Sequence, residues 1–336
     1  MSKQNNLSFV SVVIPCRNEE KFIGKCLDSI ITQDYQKDRI EILIIDGMSE
    51  DKTREIVNCY IHQCPYIKLF DNPKKITPFA LNTGIKKARG EIIIRMDAHA
   101  TYKEDYVSKC IKYLNECNAD NVGGVMITLP MNDTLVGRAI VRALSSPFGV
   151  GNSAFRTGVK EPKWVDTVFG GCYRREIFEK VGFFNENLAS TQDMEFNLRL
   201  KRAGGKILLH PGIVSYYYTR SRFKDFCKNN FRNGVWAIYP MKFVKNMPVS
   251  VRHLVPFIFV STLMTSGFLS IFFPVLLQLF LFTIGSYFAS SIFFSAKIMV
   301  QEKEPRYLFV MPIMFLALHF MYGLGSIWGG IKLLWR

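Results

Sequence analysis

Ile40-Glu-Ile-Leu-Ile-Ile45 is a near-continuous apolar run that ends at Asp46-Gly47. Such a run is typical of a strand that is buried on both faces of a sheet. The chain around it alternates strand patterns with helical spacing: strands at Phe9–Ile14, Ile67–Phe70 and Glu91–Met96, helices at Glu19–Thr32, Asp51–His62 and Thr77–Ala88. This alternation predicts an α/β fold, with a mostly parallel sheet and helices on both faces.

The pattern is looser after residue 120. We predict strands at Asn121–Leu129, Trp164–Cys172, Lys206–Leu209 and Ile213–Tyr218, and helices at Leu135–Leu144, Arg174–Val181, Gln192–Ala203 and Arg222–Trp236. Residues 145–163 are rich in Gly, Ser and Pro and predict a long loop, a kind of segment that is often functional. Thr77 is a plausible N-cap, with Pro78 at the first helical position.

The C-terminal part is apolar enough to enter a membrane. Leu254–Ser295 contains no charged residue, and Tyr307–Leu334 forms a second apolar block. About 20 apolar residues cross the hydrocarbon core, so the first block predicts two helices that turn near Pro274. The second block predicts a third span, or a shorter span followed by a Gly-rich interfacial stretch. A buried helical hairpin of a soluble protein is the alternative.

Charge and cysteine content narrow the class of protein. The formal net charge is +15, and basic residues are dense before the first apolar block, which fits the cytoplasmic side of a membrane better than a nucleic acid. The eight cysteines form no C-x-x-C pair and predict reduced thiols. Residues 1–8 are polar and do not resemble a signal peptide, so we expect the N-terminal domain to be cytosolic.

Polar side chains follow three of the predicted strands at the points where the strands end. They are Arg17-Asn18-Glu19, Asp46-Gly47 and Asp97-Ala98-His99. Because ligands gather at the carboxyl ends of strands in such sheets, we expect the binding site at this edge. The dinucleotide signature G-x-G-x-x-G does not follow the first strand, which disfavours an oxidoreductase.

Asp97 and His99 have the chemistry of a cation site. A carboxylate and an imidazole two residues apart can both face one divalent cation, which can bridge a diphosphate. An aspartate that caps the next helix beside an incidental histidine is the structural alternative. Asp46 can accept hydrogen bonds from a base or a ribose, whereas Ser49 and Asp51 also suit N-caps of the following helix.

Two further candidate sites lie in the later part of the chain. Asp193, in Gln192-Asp-Met-Glu195, could deprotonate an acceptor hydroxyl, or it could be a helix N-terminal charge stabilised by the macrodipole. Arg232 could pair with a diphosphate and Trp236 could stack on a sugar. Both could equally anchor their helix at the membrane interface.

The order and spacing of these motifs resemble the family 2 glycosyltransferases with a GT-A fold, over most of residues 8–240. The motifs that carry the resemblance are Val12-Val-Ile-Pro-Cys-Arg-Asn-Glu-Glu20, Ile45-Asp-Gly-Met-Ser-Glu-Asp-Lys-Thr53, Ala80-Leu-Asn-Thr-Gly84, Ala88-Arg-Gly90, Met96-Asp-Ala-His99 and Gln192-Asp193. The succinoglycan-biosynthesis (ExoA-like) branch is the one that the sequence resembles most. The marks of that branch are Arg95-Met-Asp-Ala-His-Ala100, Ser145-Ser-Pro-Phe-Gly-Val-Gly-Asn152, Trp164-Val-Asp-Thr-Val168 and Tyr173-Arg-Arg175.

The resemblance implies an inverting, metal-dependent hexosyltransferase of bacterial-type polysaccharide biosynthesis. The donor is a nucleotide diphosphate sugar, UDP-glucose by analogy with the branch, and the acceptor is a hydroxyl of a lipid-linked saccharide. The implied regions are a cytosolic catalytic domain at 1–240, a basic juxtamembrane linker at 241–253 and a membrane domain of two or three helices at 254–336. Such a protein would be a multi-pass protein of the cell membrane.

The resemblance also implies residue roles. Pro15, Arg17, Glu19, Asp46 and Asp97 would surround the nucleotide. Asp97 and His99 would hold the cation. Asp193 would be the catalytic base, and Gln192, Arg232 and Trp236 would lie on the acceptor and diphosphate side.

The sequence departs from the family pattern in three places. His99 stands where the family has the second aspartate of D-x-D, and because an imidazole suits Mn²⁺ better than Mg²⁺, we expect manganese to be favoured. Gln192 stands where the family often has glutamate. Arg232 and Trp236 are spaced R-x-x-x-W and not R-W, which favours the addition of one sugar over processive synthesis. A polyprenyl-phosphate sugar synthase and a non-catalytic membrane scaffold are the alternative functions.

Overall fold

The computed structural model describes residues 7–245 and 247–335. The first six residues of the polar N-terminus considered above, and Asn246 and Arg336 in the predicted linker and membrane domain, lie outside the described residues. Up to Pro130 the elements are β1 (Val10–Cys16), α1 (Ile23–Ile31), β2 (Ile40–Asp46), α2 (Thr53–Gln63), β3 (Ile67–Asp71), α3 (Thr77–Lys87), β4 (Ile92–Arg95), β5 (Ala100–Tyr102), α4 (Tyr106–Glu116) and β6 (Asn121–Pro130).

The remaining elements follow in chain order. They are α5 (Leu135–Ser145), α6 (Pro147–Val150), α7 (Ala154–Thr157), β7 (Lys163–Trp164), β8 (Cys172–Arg174), α8 (Glu176–Val181), α9 (Gln192–Arg202), β9 (Ile207–Thr219), α10 (Phe223–Ile238), α11 (Val255–Leu269), α12 (Pro274–Glu302) and α13 (Tyr307–Leu334). Single turns of 3₁₀ helix occupy Lys37–Arg39, Tyr239–Lys242 and Val251–Leu254.

The chain packs into two compact units. The first contains the chain up to Ile127 together with Gly158–Tyr217, and the second contains Thr128–Thr157 together with the chain from Tyr218 onwards. These packing units differ from the three regions inferred from the sequence, which are a catalytic domain at 1–240, a linker at 241–253 and a membrane domain at 254–336. The division into those three regions stays a prediction.

A sheet runs in the order β3-β2-β1-β4-β8-β6-β9-β5, with β7 paired to β9. The pairs β1–β2, β1–β4 and β2–β3 are parallel, as the alternation of strands and helices predicts. Beyond β4 the sheet continues with antiparallel pairs, including β4–β8, β6–β8 and β5–β9. The predicted parallel sheet is therefore the first half of a larger mixed sheet.

The core of the first unit lies on both faces of the parallel strands. All seven residues of β2 are buried, which confirms that the run from Ile40 is a central strand. Leu27 of α1 and Leu114 of α4 belong to one core cluster with the β2 side chains of Ile42 and Ile44. Burial of these side chains, at about 25 cal/mol per Å² of apolar area, fixes the positions of the strand ends that form the site.

Several predicted elements are wrong in detail. The strand expected at Trp164–Cys172 is absent from the described chain, which has β7 and β8 on either side of a connection. The two strands expected between Lys206 and Tyr218 are one strand, β9. The predicted loop 145–163 contains α6 and α7. Thr77 is inside α3 and does not cap it, because Ile76 occupies the N-cap position.

Three C-terminal helices are long and apolar enough to cross a membrane: Val251–Leu269, Pro274–Glu302 and Tyr307–Leu334. Pro274 begins the second helix, as predicted. The second apolar block is one continuous helix, α13, and not a shorter span with an interfacial tail. Because apolar side chains of α12 such as Phe282 and Phe293 are exposed, the alternative of a buried hairpin in a soluble protein is wrong.

Candidate functional site

The parallel register places the candidate residues at one edge of the sheet. Cys16 at the end of β1 is level with Asp46 at the end of β2, and Val13 is level with Arg95 at the end of β4. Pro15 is the penultimate residue of β1, and Arg17 follows the strand. The predicted convergence of strand ends is therefore present in the first unit.

The loops after β1 and β2 are held together by hydrogen bonds from the backbone. The amides of Asn18, Glu19 and Glu20 donate to Ser49 Oγ at 2.8 Å, Thr53 Oγ1 at 2.7 Å and Asp51 Oδ2 at 3.1 Å. The side chain of Asn18 returns one bond, because its Oδ1 accepts from the amide of Glu50 at 2.9 Å. The two loops thus form one ordered surface beside the strand ends.

Asp46, at the end of β2, forms hydrogen bonds that stabilise the second of these loops. Its carboxylate is fully buried and accepts hydrogen bonds from Ser49 Oγ at 2.5 Å and from Arg54 Nη1 at 2.7 Å. Ser49 therefore links Asp46 to the first loop. Asp51 accepts from the amide of Thr53 at 3.0 Å, which orders the start of α2.

Arg17 is more accessible to solvent than Asp46. Its side chain is 42% exposed and lies 3.9 Å from the carboxylate of Glu50. A half-exposed guanidinium with a distant partner is free to bind a phosphate or a ribose oxygen.

Arg95 connects the two carboxylates that carry the predicted chemistry. Its Nη2 lies 3.2 Å from Asp97 Oδ1, and its Nη1 lies 3.5 Å from Asp193 Oδ2. Asp97 follows β4, whereas Asp193 is in the first turn of α9. The fold therefore brings the predicted cation ligand and the predicted base to the same guanidinium.

The sequence reasoning gave Arg95 no role of its own. Its side chain is only 9% exposed, and burial would lower its pKa, but Asp97 and Asp193 raise the pKa above its ordinary value. A signal was available, because an arginine at the end of the apolar strand Ile92-Ile-Ile requires acidic partners once it is buried. The sequence did not say which carboxylates those partners are.

Asp193 has the exposure that a catalytic base needs. It is 38% exposed, so its carboxylate can reach a substrate, and its Oδ1 accepts a hydrogen bond from the amide of Met194 at 2.9 Å. Its position in the first turn of α9 also stabilises the negative charge. The neighbouring Gln192 is buried, and its side-chain amide oxygen has no hydrogen-bond partner. Glu195 pairs with Arg199 at 3.0 Å, in agreement with a structural role.

His99 lies between Glu19 and Tyr217. Its Nδ1 is 3.3 Å from Glu19 Oε1, and its ring packs edge-on against Tyr217 with the centroids 5.0 Å apart. Burial would lower the pKa of the imidazole, but the hydrogen bond to Glu19 and the nearby Tyr217 and Asp97 raise the pKa to about 10. In the absence of a cation this histidine is therefore a charged partner of Glu19 at neutral pH.

The donor set is consistent with a divalent cation that the substrate helps to bind. Histidines that ligate metals usually offer their second ring nitrogen to a carboxylate, which is the relationship of His99 to Glu19. Among the described residues no group of three or more His, Cys, Asp or Glu side chains is arranged to hold a metal ion. A cation at Asp97 and His99 would therefore need further ligands, which a diphosphate and water can supply.

Arg232 and Trp236 belong to the second unit, where both are on α10. They line a cavity of about 300 Å³, together with Trp328 and Lys332 near the end of α13. The spacing of four residues places the two side chains on the same face of the helix, as the R-x-x-x-W pattern predicts.

Comparison with known proteins places these features in context. The family model described as Glycosyl transferase family 2 matches residues 11–182. A Methanococcus voltae protein is 31% identical over 335 residues, which cover 97% of this chain and 98% of that protein. It is named dolichyl N-acetyl-alpha-D-glucosaminyl phosphate 3-beta-D-2,3-diacetamido-2,3-dideoxy-beta-D-glucuronosyltransferase.

Two further similarities concern the predicted branch and the fold. The succinoglycan biosynthesis protein ExoA of Rhizobium meliloti (strain 1021) is 30% identical over 247 residues, which cover 68% of this chain and 74% of that protein. The mannosyltransferase PcManGT of Pyrobaculum calidifontis, solved in complex with GDP-Man and Mn²⁺, superposes with a TM-score of 0.59. The superposition covers 96% of this chain and 88% of that one at 19% identity, which shows a shared fold.

Proposed function

Because the chain belongs to glycosyl transferase family 2, we propose that it is a membrane-anchored, inverting hexosyltransferase that uses a nucleotide diphosphate sugar. Its fold is of the GT-A type, with three apolar C-terminal helices. The observation that carries the proposal is the pairing of both Asp97 and Asp193 with Arg95. This pairing puts a group that can bind a cation next to a group that can accept a proton.

The strand-end loops would bind the nucleotide. The two loops joined by Asn18, Ser49 and Asp51 offer a polar surface for the base and the ribose. Pro15, near the end of β1, would contact the same nucleotide. Asp46 would act in nucleotide binding by holding this loop, since its carboxylate already bonds to Ser49 and Arg54. Arg17 and Glu19, which follow β1, would contact the nucleotide from the same loop. UDP is the nucleotide we propose, by analogy with the branch.

Asp97 and His99 would hold the divalent cation, with Glu19 orienting the imidazole. When bound, the cation would neutralise charge on the leaving diphosphate. Manganese in the solved complex of PcManGT supports a divalent cation, and the imidazole favours Mn²⁺ over Mg²⁺. Arg95 would keep the carboxylate of Asp97 oriented before the donor arrives.

Asp193 would act as the base. It would remove the proton from an acceptor hydroxyl, and the oxygen would form a bond to the anomeric carbon while the bond from that carbon to the diphosphate breaks. One displacement from the opposite face inverts the configuration. Arg95, beside Asp193, would fix the direction of its carboxylate, and Gln192 would contact the acceptor from the same helix turn.

The acceptor we propose is a lipid-linked saccharide. The name of the Methanococcus voltae relative, which describes a sugar phosphate on dolichol, supports this class because that relative matches nearly the full chain. The three apolar helices would keep the enzyme at the membrane in which such a lipid resides, with the catalytic domain on the cytoplasmic side. The similarity to ExoA supports a role in polysaccharide biosynthesis.

A donor screen tests the proposal. Purified full-length protein is incubated with Mn²⁺, a membrane lipid extract and one nucleotide sugar at a time, beginning with UDP-glucose and GDP-mannose. We expect one donor to add a single sugar mass to a saccharide-bearing lipid. Addition to a bare polyprenyl phosphate would replace the proposal with a polyprenyl-phosphate sugar synthase. The absence of transfer and of donor hydrolysis with every donor would support a scaffold instead.

A further inference from the structure

The second unit contains a basic and aromatic cavity that the proposed chemistry does not use. It has a volume of about 300 Å³, at the lower end of the range of about 300–1,000 Å³ for small-molecule sites. Its walls come from α10, from Arg220 just before that helix, and from the last turns of α13. The side chains that matter are Arg220, Lys228, Arg232, Lys332, Trp236 and Trp328.

The charge of the cavity selects an anion. Among the described lining residues four side chains are cationic and none is acidic. Four cations that line one recess make its electrostatic potential positive. A bound anion lowers the electrostatic energy of all four side chains. Arg232 donates a hydrogen bond at 3.0 Å to Oδ1 of Asn229, which also lines the cavity. The N–H groups of a guanidinium form a planar fork of donors that can bind two oxygens of a phosphate.

The walls of the cavity are fixed by close packing of α10 on α13. A Cβ at Gly325 would collide with the carbonyl oxygen of Phe231, and one at Gly234 would collide with the carbonyl oxygen of Tyr322. Ser326 Oγ donates a hydrogen bond to the carbonyl of Gly234 at 3.2 Å. The two helices therefore meet backbone to backbone, and the cationic side chains project from a rigid support.

The cavity is at the end of a helix that can cross a membrane. Trp328 and Lys332 are in the last two turns of α13, after a long apolar stretch. Indole rings and lysines at the ends of such helices lie at the level of the lipid headgroups. An anion that reaches this cavity is therefore presented by the interface, and the two indoles offer apolar faces beside it.

We propose that this cavity binds the phosphate or diphosphate of the polyisoprenyl lipid that carries the acceptor saccharide. The inference rests on the proposed function, since a lipid-linked acceptor must hold its phosphate against the enzyme. An anionic phospholipid is held through diffuse surface charge, whereas a recess with four cations and two indoles selects one headgroup. Arg232 and Lys332 bind the phosphate oxygens, and Trp236 and Trp328 cover the adjoining sugar or isoprenoid.

Lipid binding to the full-length protein in phosphatidylcholine nanodiscs tests the inference. The probes are a polyisoprenyl phosphate, the matching polyisoprenol, phosphatidylglycerol and inorganic pyrophosphate. The double variant Arg232→Gln/Lys332→Gln removes two cations from the cavity. Its matched control, Arg222→Gln/Lys224→Gln, removes two exposed cations near the start of α10 that do not line the cavity.

We expect the polyisoprenyl phosphate to bind the wild-type protein and to bind the cavity variant at least about tenfold more weakly, while the control stays within about twofold. The inference would be overturned if the control variant lost as much affinity as the cavity variant. It would also be overturned if the polyisoprenol bound as tightly as the polyisoprenyl phosphate, or if phosphatidylglycerol competed with the polyisoprenyl phosphate equally well. Tight binding of pyrophosphate without lipid would identify a soluble ligand and overturn it as well. Arg232→Lys keeps the charge but loses the planar guanidinium, so its affinity for the polyisoprenyl phosphate should lie between those of the wild-type protein and the cavity variant.

Measurements of donor hydrolysis and of sugar transfer in the cavity variant distinguish a failure of this inference from a failure of the proposed function. In the cavity variant, donor hydrolysis should persist while transfer to the lipid acceptor falls. Full transfer in that variant would contradict the cavity's role and leave the transferase assignment intact. Lipid binding that depends on the cavity, in a protein that transfers no sugar from any donor, would contradict the transferase assignment and leave the lipid site intact.

Discussion

Nη1 of Arg95 lies 3.5 Å from Oδ2 of Asp193, although the two residues are far apart in the chain and on different elements. Because the same guanidinium also contacts Asp97, the candidate base and the candidate cation ligand face one site. Placement of the two carboxylates in separate cavities would have contradicted a transferase. The shared arginine gives the proposal its most direct experimental tests.

Replacement of Asp193 by Asn removes the proposed base but preserves the size of the side chain. General-base catalysis contributes about 10²- to 10⁴-fold, so we expect kcat to fall by about that factor. Donor affinity should change little, because the proposed role of Asp193 is toward the acceptor. Single-turnover transfer and calorimetric donor binding measure the two quantities. Substantial residual turnover would remove Asp193 from the role of base.

Replacement of Arg95 by Met leaves two carboxylates without their common partner. Because Arg95 is buried and Asp97 is nearly so, we expect a loss of stability of about 1–3 kcal/mol, together with weaker donor binding. Thermal unfolding in detergent measures the stability. The matched control is Lys103→Met, which removes an exposed ion pair with Asp105 and should cost less than about 1 kcal/mol. Equal effects of the two substitutions would show that Arg95 has no special role.

The dependence of activity on the metal ion tests whether His99 is a metal ligand. We expect Mn²⁺ to support half-maximal activity at a lower concentration than Mg²⁺ does, since an imidazole nitrogen suits manganese better. His99→Asp replaces the nitrogen ligand by a carboxylate and should narrow this difference. Titration of both metals with both proteins gives the comparison. Equal potency of the two metals in the wild-type protein would argue against His99 as a direct ligand.

Glu41 gives the fold a dependence on pH. It is buried in β2 and accepts hydrogen bonds from Ser11 Oγ at 2.7 Å and from the amide of Arg89 at 2.7 Å. Burial would raise its pKa, but these bonds and the Arg89 side chain outweigh burial and lower the pKa below its ordinary value. A lowered pKa contributes stability at pH values above the pKa of the unfolded chain, and that stability is lost as the pH falls through the folded-state pKa.

We therefore expect the melting temperature of the wild-type protein to fall in acid, below about pH 4. In the Glu41→Gln variant this part of the acid dependence should be absent, and stability at pH 7 should be lower by about 1–3 kcal/mol. Thermal unfolding between neutral pH and pH 3 tests both expectations. Parallel pH profiles for the two proteins would contradict the role of Glu41.

Two glycines of α13 form a matched pair for testing its contact with α10. Gly325→Ala places a methyl group against the backbone of Phe231, and overpacking of this kind costs about 1–3 kcal/mol. A Cβ at Gly330 meets no atom within 4 Å, so Gly330→Ala should be neutral or slightly stabilising. Melting temperatures in detergent compare the two variants. A similar change in both would contradict the close contact of the helices.

The parallel half of the fold could be predicted from the sequence because it depends on local pattern. The run from Ile40 is apolar on both faces of its strand, and Pro274 begins a helix because it lacks a backbone donor. The antiparallel half could not be predicted as well. Trp164–Cys172 has the composition of a strand, but β8 pairs with β4 and β6 for only a few residues, and that pairing depends on distant partners.

The sequence by itself determined the alternation of strands and helices, the apolar C-terminal helices and the residue types at the strand ends, because each follows from short-range periodicity and composition. Only the tertiary structure decided that Arg95 joins Asp97 to Asp193, that Glu19 faces His99, and that α10 and α13 enclose a basic cavity. The physical reason is that a side chain's partners are set by packing between elements distant in the chain. Charge at one position shows that a partner is needed, but only the fold shows which residue it is.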